Sequence, residues 1–163
     1  MKVPISITVN GRGHELLVDS RLTLVYMLRE TLGLTGSHVG CATGNCGACT
    51  IMLDGKTVKS CSILAADVNG QEIATIESLS SGVNDMHPIQ QAFIENQGLQ
   101  CGFCTPGMIM STLQLLQENP DPTEDEVRHA IAGNLCRCTG YQLIVKSILE
   151  AAKTLGAKSP VAA

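Results

Sequence analysis

Eight cysteines carry the chemistry legible in this 163-residue chain, and they fall into two groups of four. The first is Cys41-x4-Cys46-x2-Cys49, closed by Cys61 after eleven intervening residues. Three thiols on one loop with a fourth further on is the spacing of plant-type [2Fe–2S] sites. Four thiolates around a cluster build up negative charge, which needs compensating dipoles. The small residues Gly40, Ala42, Gly44, Gly47 and Ala48 let backbone N–H groups approach the sulfurs and tune the potential. Structural zinc competes, but it favours two short Cys-x2–4-Cys knuckles over three cysteines on one loop. The second group is Cys101-x2-Cys104 with Cys136-x-Cys138. Spacing alone leaves zinc, a redox dithiol and a cluster open there. A thioredoxin-like Cys-x-x-Cys calls for a βαβ context that this part of the chain lacks.

The elements that must position these thiols change character near residue 78. Val3, Ile5, Ile7 and Val9 alternate with Pro4, Ser6, Thr8 and Asn10, the period of a half-buried strand. Asn10-Gly11 signals a hairpin, with His14–Val18 returning beside it. A short helix is expected over about Thr23–Leu32, stopped by Gly33. A second hairpin, Thr50–Leu53 to Thr57–Ser60, turns at Asp54-Gly55, and a last strand is expected at Glu72–Ile76. Glu77–Asn84 is polar, Ser-rich and without periodicity, as a linker would be. Beyond it the signals are helical. One helix starts at Pro88 and ends at Gly98. Another opens on Thr105 as N-cap and runs to about Gln117. A third starts at the capping box Thr123-Glu124-Asp125-Glu126 and stops at Gly133, and a fourth spans about Tyr141–Leu155. The chain is thus read as α+β, with a first domain over 1–78, a helical second domain over 79–156 and a loose tail over 157–163.

A weak repeat runs through the helical half. Gly98-Leu99-Gln100-Cys101 is echoed by Gly133-Asn134-Leu135-Cys136, and each copy continues into a second Cys, a Thr and a helix. Two such units facing one another would gather four thiols about a pseudo-twofold axis, which favours a four-thiolate site.

Composition narrows the function class. A net charge of −4 argues against a nucleic-acid footprint. No apolar run approaches the roughly 20 residues of a membrane span, and the N-terminus lacks a signal-peptide core. The chain is therefore expected in the reducing cytoplasm, where paired cysteines more often mean metal than disulfide. Gly55-Lys56-Thr57 ends like a phosphate loop, but Thr50 stands where the motif needs glycine. His14, His38, His87 and His129 lack ligand spacing, and Glu124-Asp125-Glu126 reads as a solvated helix start. No nucleophilic triad or carboxylate pair is present, so no catalytic residue is assigned. A free-standing [2Fe–2S] carrier and a colourless zinc-stabilised assembly module are the competing readings.

Three stretches carry a family resemblance. They are Gly40-Cys41…Cys46-Gly47-Ala48-Cys49-Thr50, Gln100-Cys101-Gly102-Phe103-Cys104-Thr105-Pro106-Gly107-Met108, and Gly133-Asn134-Leu135-Cys136-Arg137-Cys138-Thr139-Gly140-Tyr141. Over about Val3 to Ala152 the chain resembles the iron–sulfur small subunit of the molybdenum hydroxylases, the xanthine oxidase family, in its separate-subunit form. Carbon monoxide dehydrogenase, N-heteroaromatic oxidoreductases and 4-hydroxybenzoyl-CoA reductase are of that form. The resemblance implies a β-grasp plant-type ferredoxin domain followed by a four-helix bundle with its own [2Fe–2S] centre. Cys41, Cys46, Cys49 and Cys61 would then hold one cluster and Cys101, Cys104, Cys136 and Cys138 the other. It further implies a large partner subunit carrying molybdenum on molybdopterin, a medium subunit carrying FAD, and a dimer of heterotrimers. Gln100 and Cys138 match positions that contact the pterin, so the helical-domain cluster would face molybdenum and the other the flavin.

Overall fold

The computed structural model describes residues 1–82 and 84–157. The expected tail therefore lies, beyond Ala157, outside the described residues. Alternation in the first strand does what the pattern requires. In β1 (Lys2–Val9), Ile5, Ile7 and Val9 are buried while Lys2, Pro4 and Ser6 are exposed. The chain turns at Asn10 and Gly11, both with positive φ (50° and 75°), into antiparallel β2 (Arg12–Asp19). A second hairpin pairs β3 (Thr50–Leu53) with β4 (Lys56–Lys59). β5 (Glu72–Ala74) slots between the hairpins, parallel to β1 and antiparallel to β3, giving the order β2-β1-β5-β3-β4. One face of this mixed sheet is covered by a single helical turn, α1 (Leu24–Tyr26), which widens into a π turn over Met27–Thr31. The wide turn differs from the plain helix expected there. Leu24, Met27 and Leu28 are buried in the sheet's core, and Val25 packs with Cys49 and Cys61.

The second half contains α2 (Pro88–Glu95), α3 (Thr105–Glu118), α4 (Glu124–Ala130) and α5 (Gln142–Ala157). On α5, Ile144, Val145, Ile148, Ala151 and Ala152 are buried, the i, i+3/i+4 stripe of an amphipathic helix. They meet Phe93 of α2, Met108 of α3 and Val127 of α4 in one cluster. α4 starts at the expected capping box, with Glu126 N–H donating to Thr123 Oγ1 at 3.3 Å and Thr123 N–H to Glu126 Oε2 at 2.7 Å. α3 starts one residue earlier than expected. Cys104 is its N-cap, its carbonyl accepting from Met108 N–H at 3.0 Å, and the Thr105 hydroxyl is buried without a hydrogen-bond partner among the described residues. His87 caps α2, its Nδ1 accepting from Ile89 N–H at 3.2 Å, and burial lowers its pKa. Among the described residues no helix is long and apolar enough to cross a membrane.

α2 ends in a Schellman turn, with Gly98 N–H donating to the Phe93 carbonyl at 2.8 Å and Gln97 N–H to that of Ile94 at 3.2 Å. The left-handed position is Gln97 (φ 56°), not the glycine beside it. Gly98 is needed for space: a Cβ there would collide with Ser147 Oγ on α5. Gln97→Gly should therefore stabilise the chain by about 0.5–1 kcal/mol, the strain relieved less the chain entropy glycine adds to the unfolded state. Chemical denaturation of both proteins checks this. An unchanged or lower midpoint would mean the Gln97 side chain contributes more than its backbone strain costs.

Candidate metal centres

The first thiol group sits where the loop after the π turn meets β3. Cys41 accepts hydrogen bonds from the backbone N–H of Thr43 (3.3 Å) and Cys46 (3.4 Å). Hydrogen bonds from Thr43 and Cys46 bring the Cys41 pKa down to about 6. The thiolate, the form that binds iron, is thus favoured at neutral pH. Cys49 and Cys61 lie at the dry end, packed with Val25 and Val39, and burial pushes Cys49 up. Cys61 is delivered by the 3-10 turn Ser60–Ser62, and the Ser60 hydroxyl locks that turn to the Cys49 carbonyl at 2.7 Å. The loop must be glycine-rich in part because a Cβ at Gly40 would stand 2.9 Å from Cys46 Sγ.

The second group lies at helix ends. Cys101 and Cys138 are exposed, with their sulfurs 3.5 Å apart. Cys104 and Cys136 are half-buried against the helical core. Burial first, then the neighbouring Cys136, drives Cys104 up to about 12. Burial also acts to raise Cys136, but hydrogen bonds from Thr139 and from Cys138 N–H outweigh it and leave its pKa lowered. Cys138 is raised chiefly by its hydrogen bond to Cys101. Tyr141 holds the Cys136 loop, its phenol oxygen accepting from Cys136 N–H at 2.9 Å and its own N–H donating to Thr139 Oγ1 at 3.2 Å. Gln100 is exposed and precedes Cys101 in the chain; Cys138 is exposed as well.

A seam joins the two groups. Leu135 N–H donates to the Cys46 carbonyl at 2.8 Å, so one hydrogen bond links the residue before Cys136 to Cys46 itself. Asn134, 2% exposed, donates to the Gly47 carbonyl (3.1 Å) and accepts from Ser111 Oγ (2.9 Å). His38 stacks on Phe103 with ring centroids 4.6 Å apart. Its Nδ1 donates to the Phe103 carbonyl at 2.8 Å, tying the first loop to the residue before Cys104. His38 lacks ligand spacing, and Asn134, Tyr141 and Lys59 belong to no metal-ligand pattern, so the sequence alone does not single them out. Asn134 and Tyr141 stand in the stretch that carries the family resemblance, and all four lie within about five residues of a cysteine.

The donor set suits iron–sulfur clusters. Among the described residues no three His, Cys, Asp or Glu side chains converge as around one ion. The backbone N–H groups of Thr43 and Cys46 that donate to Cys41 Sγ are the compensating dipoles a cluster thiolate needs.

Comparison with known proteins bears on the same residues. Residues 7–79 match the family described as 2Fe-2S iron-sulfur cluster binding domain, and residues 75–149 the family described as [2Fe-2S] binding domain. The nicotine 6-hydroxylase small subunit of Paenarthrobacter nicotinovorans is 50% identical over 97% of this chain and 94% of its own. The caffeine dehydrogenase subunit gamma of Pseudomonas sp. (strain CBB1) is 48% identical over 92% of this chain and 91% of its own. A chain of quinoline 2-oxidoreductase from Pseudomonas putida 86 superposes with a TM-score of 0.92 at 43% identity, covering 98% of this chain and 99% of that one. An α+β fold with a five-stranded mixed sheet, a helical half and two iron–sulfur family matches leads to one assignment. The chain belongs to the iron–sulfur small subunits of the molybdenum hydroxylase, or xanthine oxidase, family.

Proposed function

We propose that this chain carries electrons through two [2Fe–2S] clusters between a large molybdopterin subunit and a medium FAD subunit, in a cytoplasmic dimer of heterotrimers. The ligands are Cys41, Cys46, Cys49 and Cys61 for the first cluster and Cys101, Cys104, Cys136 and Cys138 for the second. The domains that hold them divide at 1–78 and 79–156. What supports this reading is the pairing of ligand-set thiols in space, Cys49 with Cys61 in one buried cluster and Cys101 with Cys138 on exposed loops, their sulfurs 3.5 Å apart. When bound, each cluster accepts or gives up one electron at a time.

The chain's own residues supply the rest. Thr43 and Cys46 N–H groups hold the Cys41 sulfur as thiolate. The N-terminal end of α3 points its dipole at Cys104, which favours negative charge there. The Leu135–Cys46 hydrogen bond holds the two ligand loops at fixed separation. Gln100 and Cys138, both exposed, form the face for the pterin, where the Gln100 amide offers donors and an acceptor to a ring edge. The opposite direction is served by the ferredoxin-like half, whose loop residues Ala42, Thr43 and Asn45 are exposed toward a flavin partner.

The test is iron and acid-labile sulfide analysis of the intact complex, with EPR during reduction. The expected result is two distinct [2Fe–2S] signals per chain, and Mo(V) coupled chiefly to the cluster of Cys101, Cys104, Cys136 and Cys138. Stoichiometric zinc, or one cluster only, would end the reading. Dominant coupling to the other cluster would reverse the order.

A further inference from the structure

Among the described residues, Lys59 is a cation at the seam that the ligand chemistry leaves unused. It leaves β4 two residues before Cys61, yet its ammonium turns inward. Nζ donates to Thr50 Oγ1 at 2.9 Å, and a Cβ on Gly133 of the helical half would stand 3.5 Å from it. Thr50 Oγ1 donates in turn to the Gly47 carbonyl at 2.7 Å, which also accepts from Asn134 Nδ2 at 3.1 Å. The ammonium thus ends a polar network shared by both halves. Among the described residues the side-chain ion pairs are Asp19–Arg21, Glu124–Arg128 and Glu150–Lys153, all at the surface, so no carboxylate accounts for this charge. Burial disfavours the ammonium, and the sulfurs of Cys49, Cys46 and Cys61 act the other way. A half-buried cation without a carboxylate is unfavourable unless another negative group offsets it.

We infer that Lys59 sets the reduction potential of the first cluster and makes that setting depend on docking of the helical half. The inference rests on the assignment of Cys41, Cys46, Cys49 and Cys61 as ligands. Reduction there brings in one electron, and with it one unit of negative charge, from the substrate side of the enzyme. A fixed ammonium within reach stabilises the reduced state over the oxidised one and so raises the potential. The charge balance needs no proton, since the electron alone is gained. The attraction is strong only while Gly133 and Asn134 keep water from Nζ, because water would screen it.

The experiment is an EPR-monitored dithionite titration of the intact enzyme complex with Lys59→Met, Lys59→Gln and Lys59→Arg beside the parent. The first cluster's midpoint is expected to shift to more negative potential in the Met and Gln variants and to stay near the parent in Lys59→Arg. The second cluster should shift much less in every variant, with iron content unchanged. Lys59→Gln keeps a donor for Thr50 without the charge, so it carries the measurement if Lys59→Met assembles poorly. Unmoved midpoints in both variants at full iron content would overturn the inference. Equal shifts of both clusters would do so as well, because they would mark a general loosening of the seam. Loss of the first cluster in both, with Lys59→Arg intact, would assign Lys59 to assembly and also overturn it. A parent without the first cluster would overturn the ligand assignment instead.

Discussion

Cys46→Ser in the intact chain is expected to erase one of the two [2Fe–2S] signals, halve the iron content, and leave the other signal in place. A hydroxyl does not ionise near neutral pH as a thiol does, so one of four thiolates is lost outright. The lesion is confined to the ligand. The Cys46 N–H that donates to Cys41 and the carbonyl that accepts from Leu135 are backbone and survive the change. Thiolate ligation is part of the folding free energy of a small metal-bearing domain, so the sheet half should loosen. The helical half should not. Its core is built from Ile89, Phe93, Met108, Val127, Ile144 and Ile148, whereas the sheet core is built from residues between Ile5 and Ile73. Two cores that share no residue can fail separately. Thermal unfolding followed by the absorbance of each cluster checks the result. Loss of both signals together would show that the halves fold as one unit and that the division near residue 78 has no energetic meaning.

Features set by local periodicity and spacing are legible in the sequence. The alternation of Val3 to Val9, the two Asn/Asp-Gly turns and the capping box at Thr123 appear in the structure where the pattern puts them. Each depends on residues within a few positions of one another. The 35-residue repeat likewise leads to thiols from two helix ends facing each other, and the Cys101 and Cys138 sulfurs lie 3.5 Å apart. The features that stay hidden depend on distance along the chain or on strain. Asn134 reads as an ordinary polar residue until it is placed against Gly47, 87 positions away. Gln97 carries no mark of a left-handed conformation, because the adjacent Gly98 looks like the obvious helix stop. The π turn at Met27–Thr31 has no local signal, since Leu24, Met27 and Leu28 follow the i, i+3/i+4 spacing of a plain α-helix. Lys59 has the sequence setting of a strand-edge lysine, and nothing local shows that its ammonium lies on Thr50 beside Gly133 of the helical half.

Gly47→Ala is expected to open the seam, with both clusters still assembled but their mutual dipolar coupling weakened. Gly47 lies at φ 72°, where a residue with a Cβ loses roughly 1–2 kcal/mol. That strain is the smaller part. A Cβ there would collide with the Gly133 carbonyl oxygen and would meet Asn134 Nδ2 at 2.7 Å and Asn134 Cα at 2.9 Å. Two of these are backbone atoms of the helical half and cannot rotate away, so the halves must part. Gly107 shows the same closeness from the other side, since its Cβ would collide with the Gly47 carbonyl oxygen. Parting would strain the Leu135–Cys46 hydrogen bond and the Asn134–Gly47 bond together. Gly55→Ala is the matched control. Gly55 has φ 78° in the β3–β4 turn, and nothing lies within 4 Å of its Cβ position, so alanine there meets backbone strain alone. The difference between the two variants isolates the seam. Gly47→Ala should destabilise by at least about 2 kcal/mol more than Gly55→Ala, in the range of overpacking against atoms that cannot yield. Pulsed EPR distance measurement and denaturant unfolding of both variants decide the matter. Equal stability losses and an unchanged cluster separation would mean that the seam yields without cost and does not fix the distance between the two ligand loops.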